Sequence, residues 1–289
     1  MAADIDSVNH VGLVVADLSA AAARFEAMGF TLSELSMHKG ATEPGRPAEP
    51  FGSGNRCAVF PKNYLEIVAH VEKDKRDVFV GKYLSRFEGM HIICFNSPAL
   101  AGADARLRAA GIGTSGVIPL QRDVATAEGT RTAKFDCVHF AEAQSPEGLV
   151  QAAHHLTPQY IHQARHVAHA NKCTALSNAY VVADDVAAVA ARYAKYTGRA
   201  PRKAGAAMVF DFPLVSRVTI LPQSELDAEL PGAPRHRLPY MPGFAFATAD
   251  LGAVTGHLDR ARIPYARARG RVVVPASACF GAAIAFEAA

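Results

Sequence analysis

The chain has 289 residues, enough for two domains of ordinary size and a large apolar core. Half of the residues are hydrophobic and a fifth are charged, the usual balance of a globular protein. The formal net charge is +3, from 30 Lys and Arg residues against 27 Asp and Glu residues. This excess is small and evenly spread, so we expect neither nucleic acid nor an anionic membrane as a partner.

The N-terminal residues and the cysteines predict the cellular compartment of the protein. Asp4 and Asp6 lie where a signal peptide would carry Lys or Arg. No run approaches the roughly 20 apolar residues that a membrane helix needs. The cysteines are scattered and show no CxxC spacing; they are Cys57, Cys94, Cys137, Cys173 and Cys279. We therefore expect reduced thiols, no disulfides and a cytoplasmic location.

The first predicted elements form a unit of one strand, one helix and three strands. Residues 8–15 are rich in β-branched side chains and predict a strand. Asp17 or Ser19 then caps a helix that runs through Ala27 and ends at Gly29. Three extended segments follow, at residues 30–37, 56–60 and 64–71.

The same order restarts in the second unit. Residues 75–87 predict a short connecting helix between the two units. Residues 91–95 predict a strand, and a helix follows from Ser97-Pro98 to Gly111. Three further extended segments are predicted at residues 116–120, 132–140 and 149–154.

A stretch with no clean period, residues 156–171, predicts a linker between two domains. Its three histidines have helical spacing but no carboxylate partner, so we expect them at the surface; they are His162, His166 and His169.

Beyond this linker the pattern appears twice more. Val14-Val15-Ala16-Asp17 recurs as Val181-Val182-Ala183-Asp184 before an Ala-rich helix, and a fourth unit starts near Gly243. A unit of this kind cannot bury its sheet alone, whereas two units pair into a curved sheet with outer helices. The sequence therefore predicts an α+β fold of four βαβββ modules paired into two domains, residues 1–158 and 172–289.

Three residues on these strands have metal-ligand chemistry. His10 interrupts an otherwise apolar first strand, Glu66 lies inside the last strand of the first unit, and His91 begins the second unit. An ionised Glu in a buried strand costs several kcal/mol unless it is paired or bound to a metal. A single His on a strand is more often a satisfied or surface residue than a ligand. The matching places of the three residues in the repeat favour a shared site of two imidazoles and a carboxylate.

Asn9-His10-Val11-Gly12-Leu13 and Tyr64-Leu65-Glu66-Ile67 resemble the metal-ligand strands of glyoxalase-like proteins in the vicinal-oxygen-chelate superfamily. The resemblance implies two glyoxalase-like domains and a divalent metal ion, Fe, Zn, Mn or Ni. It also implies a fourth ligand on residues 149–155. There Gln151 aligns with Glu66 and is favoured over His154 on that alignment. Alternate strand residues face opposite sides, so Gln151 and His155 are expected to share one face and His154 to take the other.

Several polar residues near this presumed site are candidates for holding a substrate. Asn55 and Arg56 precede a predicted strand, and His154 is a third candidate. Arg56, Arg131 and Lys134 are suited to an anionic substrate group, although a solvated charge is equally expected for each. No catalytic acid or base is identified.

The second half departs from the resemblance at its ligand positions. Aligning the repeated Val-Val-Ala-Asp segments puts Ser177 opposite His10, and a similar alignment puts Phe244 opposite His91. We therefore expect no catalytic metal in this half. Its role as a support for the fold, a wall of the pocket or a homodimer contact stays open.

Three functions are consistent with these features. The first is a metal-dependent enzyme of the lyase or isomerase class, acting on a small oxygen-bearing substrate chelated to the metal. The second is an extradiol-type ring-cleaving dioxygenase, which four modules and a triad of two His and one Glu favour. The location of the ligands in the N-terminal half argues against it. The third is a binding protein that holds a drug-like or antibiotic-like molecule without chemistry.

Overall fold

The computed structural model describes residues 4–41, 45–214 and 216–289. In these residues it contains sixteen strands in two sheets and six α-helices, which confirms the predicted α+β fold of paired modules. None of the helices in these ranges has the length and apolar character needed to span a bilayer.

The first eight strands close into a barrel with the order β1-β4-β3-β2-β6-β7-β8-β5. Its strands are β1 (Ser7–Val14), β2 (Ser36–Gly40), β3 (Glu49–Val59), β4 (Tyr64–His70), β5 (Gly89–Asn96), β6 (Ile118–Thr126), β7 (Gly129–His139) and β8 (Leu149–His155). Its helices are α1 (Leu18–Ala27), α2 (Val80–Leu84) and α3 (Leu100–Ala109). An eight-stranded barrel is wide enough to hold side chains or one small ligand.

The other eight strands form an open sheet with the order β10-β11-β12-β9-β13-β16-β15-β14. Its strands are β9 (Cys173–Ala183), β10 (Arg202–Ala204), β11 (Ala207–Asp211), β12 (Arg217–Pro222), β13 (Tyr240–Thr248), β14 (Ala266–Ala268), β15 (Arg271–Val274) and β16 (Ala283–Ala288). Its helices are α4 (Val186–Thr197), α5 (Leu226–Glu229) and α6 (Leu251–Arg260).

One apolar core joins the two halves. Alternate residues of β1, Val11 and Leu13, point out of the barrel into this core, which also contains residues of β9 and β13. Phe30 of the first half and Phe246 of the second contact each other, with ring centroids 4.8 Å apart. His10 of the same strand faces the interior of the barrel, where its side chain lines a cavity.

The spacing of the elements shows how the modules correspond. From the start of β1 to the start of β5 is 82 positions, and so is the distance from α1 to α3. Asp17 caps α1 by accepting a hydrogen bond from the Ala20 N–H, and Asp185 caps α4 in the same way. The sequence alignment had paired Asp17 with Asp184, so it was shifted by one residue in the third module.

The linker histidines are not at the surface, contrary to expectation. His166 and His169 are buried, and the ring of His169 hydrogen-bonds the backbone of Val59 and Thr31. His162 bonds the carbonyl of Phe60 through Nδ1. These histidines tie the linker to the barrel, because a backbone that crosses a packed surface needs polar partners.

Candidate functional site

A cavity of about 350 Å³ occupies the interior of the barrel. Apolar and aromatic side chains contribute much of its wall; they include Phe51, Val78, Phe79, Ile92, Leu120, Phe135 and Leu149. Polar side chains gather in one part of it; they are His10, His38, Asn55, Tyr64, Glu66, Arg122, Gln151 and His155. Such a mixture is typical of a small-molecule site.

The orientation of His10 follows from a chain of hydrogen bonds. Asn96 donates through Nδ2 to the carboxylate of Asp6, at 2.9 Å, so its Oδ1 accepts from Nδ2 of Asn9 at 3.3 Å. Oδ1 of Asn9 is then left to accept from Nδ1 of His10, at 2.8 Å. Because a neutral imidazole carries one proton, Nε2 of His10 presents a lone pair to the cavity.

This lone pair faces the carboxylate of Glu66. Nε2 of His10 lies 3.8 Å from Oε2 of Glu66, and neither atom has a hydrogen-bond donor within the described residues. Burial lowers the pKa of His10 to about 4, although the Glu66 charge acts to raise it. Burial acts to raise the pKa of Glu66, but His38, His10 and Arg122 outweigh it and the pKa falls below its usual range. Two atoms that each present a lone pair, Nε2 of His10 and Oε2 of Glu66, therefore face each other at a buried position.

The other oxygen of Glu66 has partners. Oε1 accepts from Nδ2 of Asn55 at 2.5 Å, and Nε2 of His38 lies 3.3 Å away. Oδ1 of Asn55 accepts from the guanidinium of Arg122. Asn55 thus lies between a buried carboxylate and a buried guanidinium and forms a hydrogen bond with each.

Gln151 and His155 line the same cavity from β8. The shared face that strand alternation predicts for these two residues is observed. Both ring nitrogens of His155 are buried and have no hydrogen-bond partner. The ring packs near Tyr64 and Phe135, with centroids at 6.0 and 4.7 Å, and burial lowers its pKa well below the usual range.

His91 does not join His10 and Glu66, and this expectation is corrected. It is buried on the opposite face of β5, where Nε2 bonds the carbonyl of Phe87 at 2.8 Å. Phe87 also stacks on His236 of the second half, at 3.7 Å. In the second module the position equivalent to His10 is Ile92, which lies 82 residues later in the chain. The side chain of Ile92 lines the cavity.

Two expected substrate contacts also lie outside the cavity. Arg56 points to the outer helix, where it pairs with Glu26 at 2.8 Å. His154 takes the outer face of β8 and bonds the carbonyl of Ser97 through Nδ1. Arg131 and Lys134 are absent from the cavity wall too, whereas the third candidate, Asn55, lines it.

The sequence reasoning missed His38, Arg122 and His155. His38 lies on β2, which is five residues long and begins later in the chain than the extended segment predicted at residues 30–37. Arg122 lies on β6, a strand with no clear alternation of burial. Only His155 carried a usable signal, because it shares a strand face with Gln151.

The second half has no histidine at the places that match His10. Counting from the capping residues of α4 and α6, the counterparts of His10 are Asn178 and Gly243. By the same count the counterpart of His91 in the fourth module is Pro242, so the alignment of Ser177 with His10 was shifted by one residue and that of Phe244 with His91 by two. One face of this sheet packs against α5 and the residue that follows it, in a buried cluster that includes Tyr180, Val182, Leu226, Leu230 and Tyr240.

Glyoxalase-like and related proteins usually use a divalent metal ion. Among residues 4–41, 45–214 and 216–289, no group of three or more His, Cys, Asp or Glu side chains is arranged to hold one. The site instead offers the facing atoms of His10 and Glu66, with the amide of Gln151 in the same cavity.

Comparison with known proteins agrees with this fold. Residues 8–197 match the family described as "Glyoxalase-like domain". A search of curated proteins gives no match.

Similar solved structures include a hypothetical protein from Staphylococcus aureus, with a TM-score of 0.60, 10% identity and coverage of 98% of this chain and 99% of that chain. A mutant 4-hydroxymandelate synthase from Streptomyces coelicolor has a TM-score of 0.55 at 13% identity, covering 92% of this chain and 78% of that chain. A fusion protein of a xylose isomerase-like TIM barrel and 4-hydroxyphenylpyruvate dioxygenase has a TM-score of 0.54 at 10% identity, covering 100% of this chain and 50% of that chain. At these identities the likeness is one of fold.

Proposed function

The chain belongs to the glyoxalase-like domain family, and from that premise we propose that it is a metal-dependent enzyme of the lyase or isomerase class. Its substrate is a small oxygen-bearing molecule that binds in the barrel cavity. His10 and Glu66 are the principal metal ligands, and Gln151 contributes its amide oxygen.

The observation that carries this proposal is the facing of His10 Nε2 and Glu66 Oε2 at 3.8 Å. Two lone-pair atoms without a donor between them repel each other unless a cation or a hydrogen-bond donor joins them. Since the chain from Asp6 through Asn96 and Asn9 fixes the imidazole, the arrangement does not relax by flipping the ring. A ligand histidine held by a hydrogen bond at its other nitrogen is the usual design of a metal site.

These residues fit a metal ion whose remaining positions are filled by substrate oxygens, because Ile92 stands where a further protein ligand would be. When bound there, a divalent ion polarises a substrate oxygen as a Lewis acid.

The chain's own residues supply orientation and a proton acceptor. Asn55 and His38 hold one oxygen of Glu66, so that the other is directed at His10. His155 is neutral, since burial depresses its pKa, and both of its nitrogens are free. We assign it the role of accepting a proton from the substrate at a ring nitrogen. The surrounding apolar wall excludes water from the reacting atoms.

The test is metal binding by chelator-treated protein, measured by isothermal titration calorimetry with Zn²⁺, Mn²⁺ and Co²⁺ and by elemental analysis after dialysis. We expect about one metal per wild-type chain. His10→Ala and Glu66→Gln should each weaken binding by roughly a hundredfold, because removing one of few ligands removes much of the binding energy.

Two histidine variants serve as controls. His154→Gln changes the residue on the outer face of β8, and His91→Phe changes the residue that the sequence alone had favoured. Both should keep the metal. Equal metal content in the His10→Ala, Glu66→Gln and His154→Gln proteins would contradict the proposal.

A second candidate function is binding without chemistry, and the observation that favours it is Ile92. An apolar side chain at a ligand position, in a cavity with a largely apolar wall, suits a protein that holds a small molecule unchanged. Wild-type protein that takes up no divalent metal, yet binds a small aromatic compound stoichiometrically and returns it unaltered, would favour this function.

A further inference from the structure

Arg122 is a buried cation without a carboxylate partner. Its side chain lines the cavity, and the residue is only 5% exposed. Its Nη1 atom donates to Oδ1 of Asn55 and lies 3.6 Å from the sulfur of Cys57. No Asp or Glu in the described part of the chain forms an ion pair with it. A guanidinium is protonated at all relevant pH values, so this charge persists in the fold.

The neighbours of Arg122 hold it in place without neutralising it. Its guanidinium carbon lies 6.0 Å from the ring centroid of Tyr64 and 5.6 Å from that of Phe135. Ring faces attract cations but carry no net charge. Glu66 is reached only through Asn55, and its free oxygen is directed at His10. A buried charge without a direct ion pair is costly, and a bound anion that pairs with it reduces that cost.

The rest of the cavity wall also carries more basic than acidic side chains. Arg76 lies exposed on it, and Lys39 is paired with Asp123 at 2.6 Å. Glu66 is the only acidic residue among the lining side chains that the structure describes. Phe51 and Phe79 contribute apolar surface to the same wall.

From these observations we propose that the barrel cavity binds small anions with an apolar, preferably aromatic, body, and that Arg122 contacts their anionic oxygens. Such an anion receives charge-assisted hydrogen bonds from the guanidinium while its body packs against the aromatic wall. The inference rests on the proposed function only in taking this cavity as the substrate site. It names Arg122 in place of Arg56, Arg131 and Lys134, which the sequence had offered for an anionic group.

Three related probes test it on chelator-treated protein: phenylacetate, phenyl phosphate and the neutral phenylacetamide. Binding is followed by isothermal titration calorimetry and by ligand-detected NMR. We expect at least one anion to bind roughly tenfold or more tightly than phenylacetamide, because only an anion pairs with the guanidinium. Whichever of the first two binds better identifies a carboxylate or a phosphate as the recognised group.

Matched arginine variants assign the effect. Arg122→Gln should abolish the preference for the anion, and Arg122→Lys should retain part of it and guards against simple misfolding. Arg56→Gln changes a residue on the outer face of β3, outside the cavity, and should leave the preference unchanged. Equal affinity for phenylacetamide, no binding of either anion, or an unchanged preference in Arg122→Gln would overturn the inference. Because no metal is present, these results are independent of the metal-binding test.

Discussion

Ile92 occupies in the second module the place that His10 occupies in the first. Each lies 82 positions from the other along matching strands, and both side chains line the barrel cavity. Gln151 is the counterpart of Glu66, because Glu66 pairs with Gly12 of β1 and Gln151 pairs with Cys94 of β5, which lies 82 positions after Gly12. The barrel is therefore symmetric in backbone and asymmetric in ligand chemistry.

Restoring a ligand at this place should strengthen metal binding. Ile92→His puts an imidazole into the cavity near His10, and we expect the affinity for Zn²⁺ to rise about tenfold or more. Without metal the variant should unfold at lower temperature, since Ile92 packs in an apolar cluster with Val14 and Val68. Calorimetric titration and thermal unfolding with and without Zn²⁺ check both effects. The Ile92→Leu variant controls for altered packing, and an affinity equal to that of Ile92→Leu would refute this prediction.

Removing the amide between Arg122 and Glu66 should destabilise the barrel. Asn55→Leu leaves a guanidinium and a carboxylate without their shared partner, so the free energy of unfolding should fall by about 3–5 kcal/mol. Urea denaturation of metal-free protein measures the loss. Glu66→Gln in the same background should recover part of it, because one of the two stranded charges is then absent. Additive effects in this double-mutant cycle would show that the two groups do not communicate through Asn55.

Replacing His155 with an apolar ring should stabilise the fold. Its two nitrogens are buried without partners, and each such group costs about 1–3 kcal/mol. We expect His155→Phe to raise the free energy of unfolding by about 1 kcal/mol in urea denaturation, while any substrate turnover is lost. His154→Phe is the matched comparison, and it should not stabilise because it removes the bond to Ser97. A loss of stability in His155→Phe would argue that its nitrogens have partners in solution.

The buried His91 makes stability depend on pH. Burial lowers its pKa to about 4, with its bond to Phe87 acting in the opposite direction. Since an unfolded histidine titrates near 6.5, the unfolded state binds more protons between these values. The free energy of unfolding therefore falls as the pH drops from about 6.5 to about 4.

His91→Phe should flatten this dependence by up to about 1.4 kcal/mol per pH unit, the contribution of one proton. Unfolding in urea at pH 7.5, 6.0, 5.0 and 4.5 gives the slope for both proteins. Wild-type and variant curves that remain parallel over this range would show that His91 does not titrate differently in the two states.

Local patterns in the sequence predict much of the fold. Alternating or continuous apolar runs predicted most of the strands, and Asp17, one of the two predicted capping residues, caps α1 in the structure. The repeat of these patterns predicted four modules, and strand alternation separated His155 from His154. His10 and Glu66 were also evident, because each is a polar residue inside an apolar strand.

The composition of the site depended on the tertiary structure. Successive strand residues face opposite sides, so an alignment error of one residue exchanges an interior position for an exterior one. His91 was predicted because it is a ligand-type residue at the start of the second unit, and the irregular pairing of β1 with β5, which makes the neighbouring Ile92 the interior residue, is not visible in the sequence. His38 and Arg122 are distant in sequence, and the pairing of β2 with β6 in the closed barrel brings both to Asn55, the partner of Glu66.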